Sequence, residues 1–267
     1  MKNKILVSAL IGLSLSSCTE YSYLYKSTDY RYKYEVAKQF YTMGKYAKSC
    51  TLVEDVMMQL KGTPQGDESL YLIASGYYKR GDYDLAATYF KQYYTSYPNG
   101  RLAELARLQS GRSLYMASPE ARLDQTDSYH AIQELQIFLE YYPNSSYKEE
   151  CNVMIYALQD KLAEKELESV KLYYNLGTYL GNNYQSCILT AQNALKNYPY
   201  SKLREDFSIY ILRARYQMAL NSIEERLTDR FRETQDECYS FKNDYPASPY
   251  NKEVTKILAH TKEIIKK

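Results

Sequence analysis

Tryptophan is absent from the 267 residues, and there are only 10 glycines and 7 prolines. These two chain breakers stand at roughly half to two-thirds of their usual frequency. So few turn residues argue against a loop-rich all-β sandwich and against a glycine-rich nucleotide-binding fold. Histidine occurs twice, at His130 and His260, which leaves almost no material for a histidine metal site or for histidine-dependent catalysis. The G-x-S-x-G, P-loop and H-E-x-x-H patterns are missing, and the carboxylates sit among lysines as solvated helix faces. The chain is therefore not expected to be an enzyme, and neither a metal nor a cofactor is expected. What it has in excess is tyrosine: 33 residues against 6 phenylalanines. Charged residues at 25% and hydrophobic residues at 45% are ordinary for a globular protein.

Residues 1–17 have the layout of a bacterial export signal. Lys2 and Lys4 form a charged start, and Ile5 to Leu15 form an apolar run of 11 residues, too short to span the roughly 30 Å of a bilayer core. Leu15-Ser16-Ser17-Cys18 then resembles the lipobox of bacterial lipoproteins. An ordinary signal followed by a chance cysteine fits less well, because Cys18 directly follows the small residues where cleavage falls. The resemblance implies cleavage before Cys18, a diacylglycerol thioether on its sulfur and an acyl chain on its new amino group. At about 0.8 kcal/mol per buried methylene, such chains anchor a protein stably. Thr19, where an aspartate would signal inner-membrane retention, favours the outer membrane. Thr19-Glu20-Tyr21 lacks a lysine-acidic surface-export pattern, so the periplasmic face is expected, with residues 18–29 as a lipidated linker.

Loss of Lys2 and Lys4 lowers the basic count from 34 to 32, equal to the acidic count of 32. A neutral body has no electrostatic reason to bind nucleic acid or an anionic membrane surface, so membrane contact is expected through the lipid alone. Cys50, Cys151, Cys187 and Cys238 are widely spaced, without a CxxC pair, and read as small buried hydrophobes on helices.

From Tyr30 onward the apolar residues recur at helical spacing, and no convincing period-2 run appears. The chain also resembles itself. Gly44-Lys45-Tyr46 and Gly81-Asp82-Tyr83 lie 37 residues apart, and Tyr-Pro recurs at 97–98, 142–143, 198–199 and 245–246. The second unit fits the tetratricopeptide (TPR) frame: Leu70, Ile73, Ala74 and Tyr77 on helix A, Gly81 in the turn, Tyr83, Ala86 and Phe90 on helix B, and Pro98 at its end. The first unit fits through Val36, Ala37, Phe40, Tyr46, Val53 and Val56. The third carries Gly111 on helix A and Tyr129, Ala131, Leu135, Phe138 and Pro143 on helix B, with a solvated insertion from Ala117 to Ser128. Helices are then predicted over 146–162 and 163–180, separate or continuous, and over 184–198, 203–220 and 226–245. A last helix over 249–265 caps the stack. The expectation is an all-α TPR helical-repeat solenoid of about five repeats with a C-terminal capping helix.

In TPR repeats certain helix A positions line the concave face. The frame projects Tyr34, Lys38 and Tyr41 there from the first unit, Tyr71, Ser75, Tyr78 and Lys79 from the second, and Leu108, Arg112 and Tyr115 from the third. Any one of these tyrosines fits ordinary packing equally well. Their recurrence in successive units points to an aromatic groove with scattered cations, suited to an extended peptide rich in aromatics or ending in a carboxylate.

Leu158-Gln159-Asp160-Lys161-Leu162-Ala163-Glu164-Lys165-Glu166-Leu167 leads into Val170, Tyr173 and Tyr174. With the turns Tyr142-Pro143-Asn144-Ser145 and Tyr198-Pro199-Tyr200-Ser201, it makes residues 30–200 resemble the outer membrane assembly lipoprotein BamD family. The resemblance implies a non-catalytic partner of BamA in the machine that inserts β-barrel proteins. The N-terminal repeats, 30–145, would receive C-terminal signals of unfolded barrel substrates. The C-terminal repeats and cap, 146–267, would dock on the POTRA domains of a BamA-like barrel protein, and other assembly lipoproteins are possible partners. Some family members dock through an arginine in helix B of the fourth repeat. Thr190 stands at that place here and supplies no such ion pair, which leaves Tyr174, Gln185, Gln192 and Asn193 around it as the expected surface. The alternative is a TPR adaptor lipoprotein for cell-wall synthesis or another envelope complex, for which the 158–174 segment would have no reason to appear.

Overall fold

The computed structural model describes residues 24–266; the export signal and Cys18 lie outside that range. Eleven helices follow a short helical turn at 24–26, and no strand occurs among the described residues. They are α1 Tyr30–Thr42, α2 Tyr46–Leu60, α3 Gly66–Arg80, α4 Tyr83–Ser96, α5 Ala103–Ala117, α6 Thr126–Tyr141, α7 Lys148–Leu176, α8 Asn183–Asn197, α9 Arg204–Leu220, α10 Glu224–Asp244 and α11 Asn251–Ile265. The fold is an all-α helical repeat of paired antiparallel helices. It divides into two compact units: residues up to Ser118 with Tyr129–Cys151, and Pro119–Ser128 with Asn152–Lys267.

Two kinds of turn set the repeat. Within a pair, glycine ends the first helix. Gly44 and Gly81 take φ of 72° and 85°, and the next amide reaches back to close the helix, Lys45 N–H to Phe40 O at 2.8 Å and Asp82 N–H to Tyr77 O at 3.0 Å. This is the Schellman arrangement, which favours glycine because a Cβ clashes in the left-handed region. Between pairs, Tyr-Pro ends the second helix. Tyr97, Tyr198 and Tyr245 adopt nearly one conformation, φ −123° to −130° and ψ 62° to 64°, because the following proline ring bars the α region. Two residues beyond the proline, the hydroxyls of Ser145, Ser201 and Ser248 accept from the amides of Tyr147, Leu203 and Tyr250 at 3.0–3.2 Å, which restarts the chain as a helix.

Small residues let neighbouring helices approach, both within a pair and between pairs. Ala37, Ala74 and Ala86 are fully buried. A methyl added at Gly76 would stand 2.6 Å from Cys50 Sγ, and one at Gly111 2.6 Å from Leu135 Cδ2. Around these contacts Leu52, Val53, Ile73, Phe90 and Tyr93 form the core of the first unit. Each such side chain contributes about 1.5–3 kcal/mol when buried. The second unit has one cluster built on Ala163, Leu167, Val170, Ile188 and Phe207, and another on Ile209, Leu212, Phe241, Val254 and Leu258. The latter brings α11 onto the last pair as a cap. The four cysteines among the described residues are free and buried. Burial raises the thiols of Cys50 and Cys151 to about 11 and those of Cys187 and Cys238 to about 12; the thiolate is suppressed, as befits packing residues.

Two sequence expectations are modified and one alternative is decided. Of the separate and continuous readings over 146–180, the continuous one holds: α7 is a single helix of 29 residues, Lys148–Leu176. Tyr129, expected in the packing frame, is 55% exposed; the buried stripe of α6 runs Ala131, Leu135, Phe138, and two residues earlier the helix has turned by about 200°. The insertion shrinks to 118–125 and is internally braced. Gln125, 3% exposed, donates to Glu120 O at 2.7 Å and accepts from the Ser128 hydroxyl at 2.8 Å. Asp124 accepts from Thr126 N–H at 3.0 Å, and hydrogen bonds from the Thr126 hydroxyl and then its amide hold the Asp124 carboxyl below the usual range.

Nothing lies within 4 Å of a Cβ built at Gly81, so substitution there tests conformation alone. Gly81→Ala is expected to lower stability by about 1 kcal/mol, and Gly81→Asn by less. Chemical denaturation compares the two.

Candidate peptide-binding groove

The first helices of three successive pairs, α1, α3 and α5, each carry residues at i, i+4 and i+7: Tyr34-Lys38-Tyr41, Tyr71-Ser75-Tyr78 and Leu108-Arg112-Tyr115. That spacing holds one face along two turns. Five of the residues converge. The Ser75 hydroxyl faces the phenols of Tyr41 and Tyr71, and Tyr71 in turn faces Arg112. Tyr78 also lies beside Arg112. Burial, then the neighbouring Tyr41, raises the Tyr71 phenol to about 12. Each ring is braced from the second helix of a pair. Tyr41 meets Tyr46 edge-on at 5.2 Å, Tyr78 meets Tyr83 at 5.4 Å, and Tyr71 meets Phe90 and Tyr93 at 5.5 and 5.8 Å. The rings are half-buried and held in place by these contacts.

Four residues depart from the projection. Tyr34 is 1% exposed and Leu108 fully buried, so both are core rather than groove surface. Lys38 forms an ion pair with Glu35 at 2.8 Å and lies over the Tyr34 ring at 5.0 Å. It lids that ring rather than offering a free charge. Tyr34 thus sinks beneath its neighbour, and its hydroxyl turns to the Glu68 carboxylate. Burial and nearby Glu68 push its phenol far up. Lys79 is exposed at the helix end, where its charge complements the C-terminal dipole. Tyr115 is half-buried.

Two groove residues were not anticipated. Tyr147 and Glu150, at the start of α7, close the far side. Arg112 donates from Nε to Glu150 Oε1 at 2.6 Å and from Nη2 to Oε2 at 2.5 Å, with its guanidinium 5.4 Å from the Tyr147 ring centre. The signal was a repeated motif. Tyr142-Pro-Asn-Ser-Ser-Tyr-Lys-Glu-Glu150 returns as Tyr245-Pro-Ala-Ser-Pro-Tyr-Asn-Lys-Glu253. In the second unit Arg213 grips Glu253 at 2.8 and 2.7 Å and stacks with Tyr250 at 5.3 Å. The turn serines match too: Ser145 donates to Glu104 and Ser248 to Glu205.

In the second unit Gln185, Gln192 and Asn193 are exposed and Thr190 is half-buried on α8. Gln185 and Gln192 line a small depression with Arg215, Arg230 and Glu233. Tyr174 lies apart from them. It packs edge-on against Tyr184 and Tyr210 at 5.8 and 5.5 Å, and borders a separate hollow with Arg213, Tyr216 and Glu253.

The model of the YfiO family, described as an outer membrane lipoprotein, matches residues 27–181. The chain belongs to this family. The matched segment holds every residue of the groove, including Tyr147 and Glu150. No curated protein matches the chain. Among solved structures, the TPR2AB-domain:pHSP90-complex of yeast Sti1 is similar at 12% identity, covering 87% of this chain and 98% of that chain with a TM-score of 0.40. For a YfiO-family lipoprotein a membrane-crossing helix is unnecessary, and no helix among the described residues is long and apolar enough to be one.

Replacing Tyr34 separates its two readings. Tyr34→Phe, which removes a buried hydroxyl that faces Glu68, is expected to cost about 1 kcal/mol. Tyr34→Ala is expected to cost about 3–5 kcal/mol. Denaturant unfolding measures both.

Proposed function

We propose that this outer membrane lipoprotein serves the β-barrel assembly machine as a non-catalytic receptor of the BamD kind, held at the periplasmic face by lipid on Cys18. Its first unit receives the C-terminal signals of unfolded barrel proteins, and its second docks on the POTRA domains of a BamA-like barrel protein. The observation that carries this reading is the groove of Tyr41, Tyr71, Ser75 and Tyr78 around Arg112. Braced rings give large contact area with little rotamer freedom to lose, and their hydroxyls tolerate a partly wet surface. An extended segment with an aromatic side chain and a terminal carboxylate suits such a lining. The family match supports the envelope setting, and the near-equal charge of the body suits a protein partner rather than nucleic acid.

Purification of the full chain from outer membranes in mild detergent is expected to co-purify a POTRA-bearing barrel protein; recovery of a cell-wall synthase instead would favour the adaptor reading. Tyr71→Ala with Tyr78→Ala is expected to weaken a C-terminal barrel peptide about tenfold, on the order of 1.4 kcal/mol, with helicity retained by circular dichroism. Cys18→Ser is expected to move the protein from the membrane to the soluble fraction on fractionation.

A further inference from the structure

We infer that Arg112 is the carboxylate-recognising residue of the groove, and that Glu150 occupies it in the empty protein and is displaced by an entering peptide's C-terminal carboxylate. This rests on the groove reading above and goes beyond it by naming both the recognised group and an internal competitor. Guanidinium presents a planar fork that matches one carboxylate through two parallel bonds. Arg112 makes that bidentate contact with Glu150. A peptide carboxylate has the same shape and charge as the group already there, so exchange conserves both bonds and the local charge.

The surroundings favour exchange over a permanent staple. The Glu150 side chain is 43% exposed and that of Arg112 is 21% exposed. The carboxylate can therefore leave into water, while the guanidinium stays partly shielded. Glu150 sits in the first turn of α7 beside Glu149, where the exposed amides of a helix start accommodate a released negative charge. Arg112 keeps other supports when Glu150 leaves: the Tyr147 ring at 5.4 Å and the flanking Tyr71 and Tyr78. The neighbouring cation Lys38 is already paired with Glu35. In the second unit, the equivalent Arg213–Glu253 pair is similarly exposed, at 22% and 39%, but lies outside the groove, with neighbours that bond one another. Tyr250 donates to Asp206 at 2.8 Å, and the Tyr216 hydroxyl meets His260 Nδ1 at 2.7 Å. That pair is the built-in control.

The test measures binding of one short peptide with an aromatic last residue, as free acid and as C-terminal amide, to the full chain. Wild type is expected to prefer the acid. Glu150→Gln is expected to raise acid affinity three- to tenfold and leave amide affinity unchanged. Arg112→Gln is expected to abolish the preference, and Arg112→Lys to restore only part of it, since a point charge replaces the fork. Glu253→Gln is expected to change neither peptide. Thermal melts identify variants that have lost their fold, and the acid-to-amide ratio in wild type stands without any variant. Equal wild-type binding of acid and amide overturns this inference and leaves the groove reading standing. So does a ratio unchanged in Glu150→Gln, which reduces the pair to a staple. Binding of neither peptide to wild type overturns the groove reading, and this inference with it.

Discussion

The close approach of neighbouring helices, within a pair and from one pair to the next, is the constraint on which the rest depends. Gly76 against Cys50 and Gly111 against Leu135 leave no room for a methyl. Ala37, Ala74 and Ala86 are buried without exposing any atom. Helices that meet at small residues bring larger neighbours into contact on either side, and dispersion sums over many such contacts. A wider separation would leave Phe90 and Tyr93 without partners. It would also unbrace Tyr71, whose edge-on contacts with both rings hold it at the groove. The binding face is thus a consequence of the packing beneath it.

Tyrosine does three jobs here. Before proline it ends helices in one repeated conformation while its ring still packs, as with Tyr97 on Tyr93 and Tyr245 on Phe241. Inside the core it fills space, and its hydroxyl reaches a carboxylate, as Tyr94 does with Glu134 and Tyr77 with Glu54. At the groove the same hydroxyl is useful too, since Tyr41, Tyr71 and Ser75 gather theirs in one place. One residue type serves dry and wet surroundings because its ring and its oxygen can be placed independently.

The charged groups follow a repeated logic as well. Arg112–Glu150 and Arg213–Glu253 each join a first helix to the start of a helix one pair further on, with a tyrosine ring beside the guanidinium. Matching serines in the turns bind Glu104 and Glu205. The motif from Tyr142 to Glu150 and its copy from Tyr245 to Glu253 therefore encode both a turn and an ion pair. The two pairs are similarly exposed; what sets Arg112 apart is its place on the groove of the first unit.

Period, punctuation and composition were sufficient to determine the helices, their ends and the pairing of one with the next. Glycine at a left-handed turn, a residue barred from α by a following proline and apolar residues every third or fourth place are local effects, read within a few residues. The convergence of Tyr41, Tyr71, Ser75, Tyr78 and Arg112 was legible too, because a regular repeat converts spacing into position. Only the tertiary structure could decide that Tyr34 and Leu108 lie buried and that Glu150 meets Arg112. Those outcomes depend on which neighbour covers a side chain across 30 or 40 residues of sequence, and burial and ion pairing are properties of the neighbours rather than of the residue.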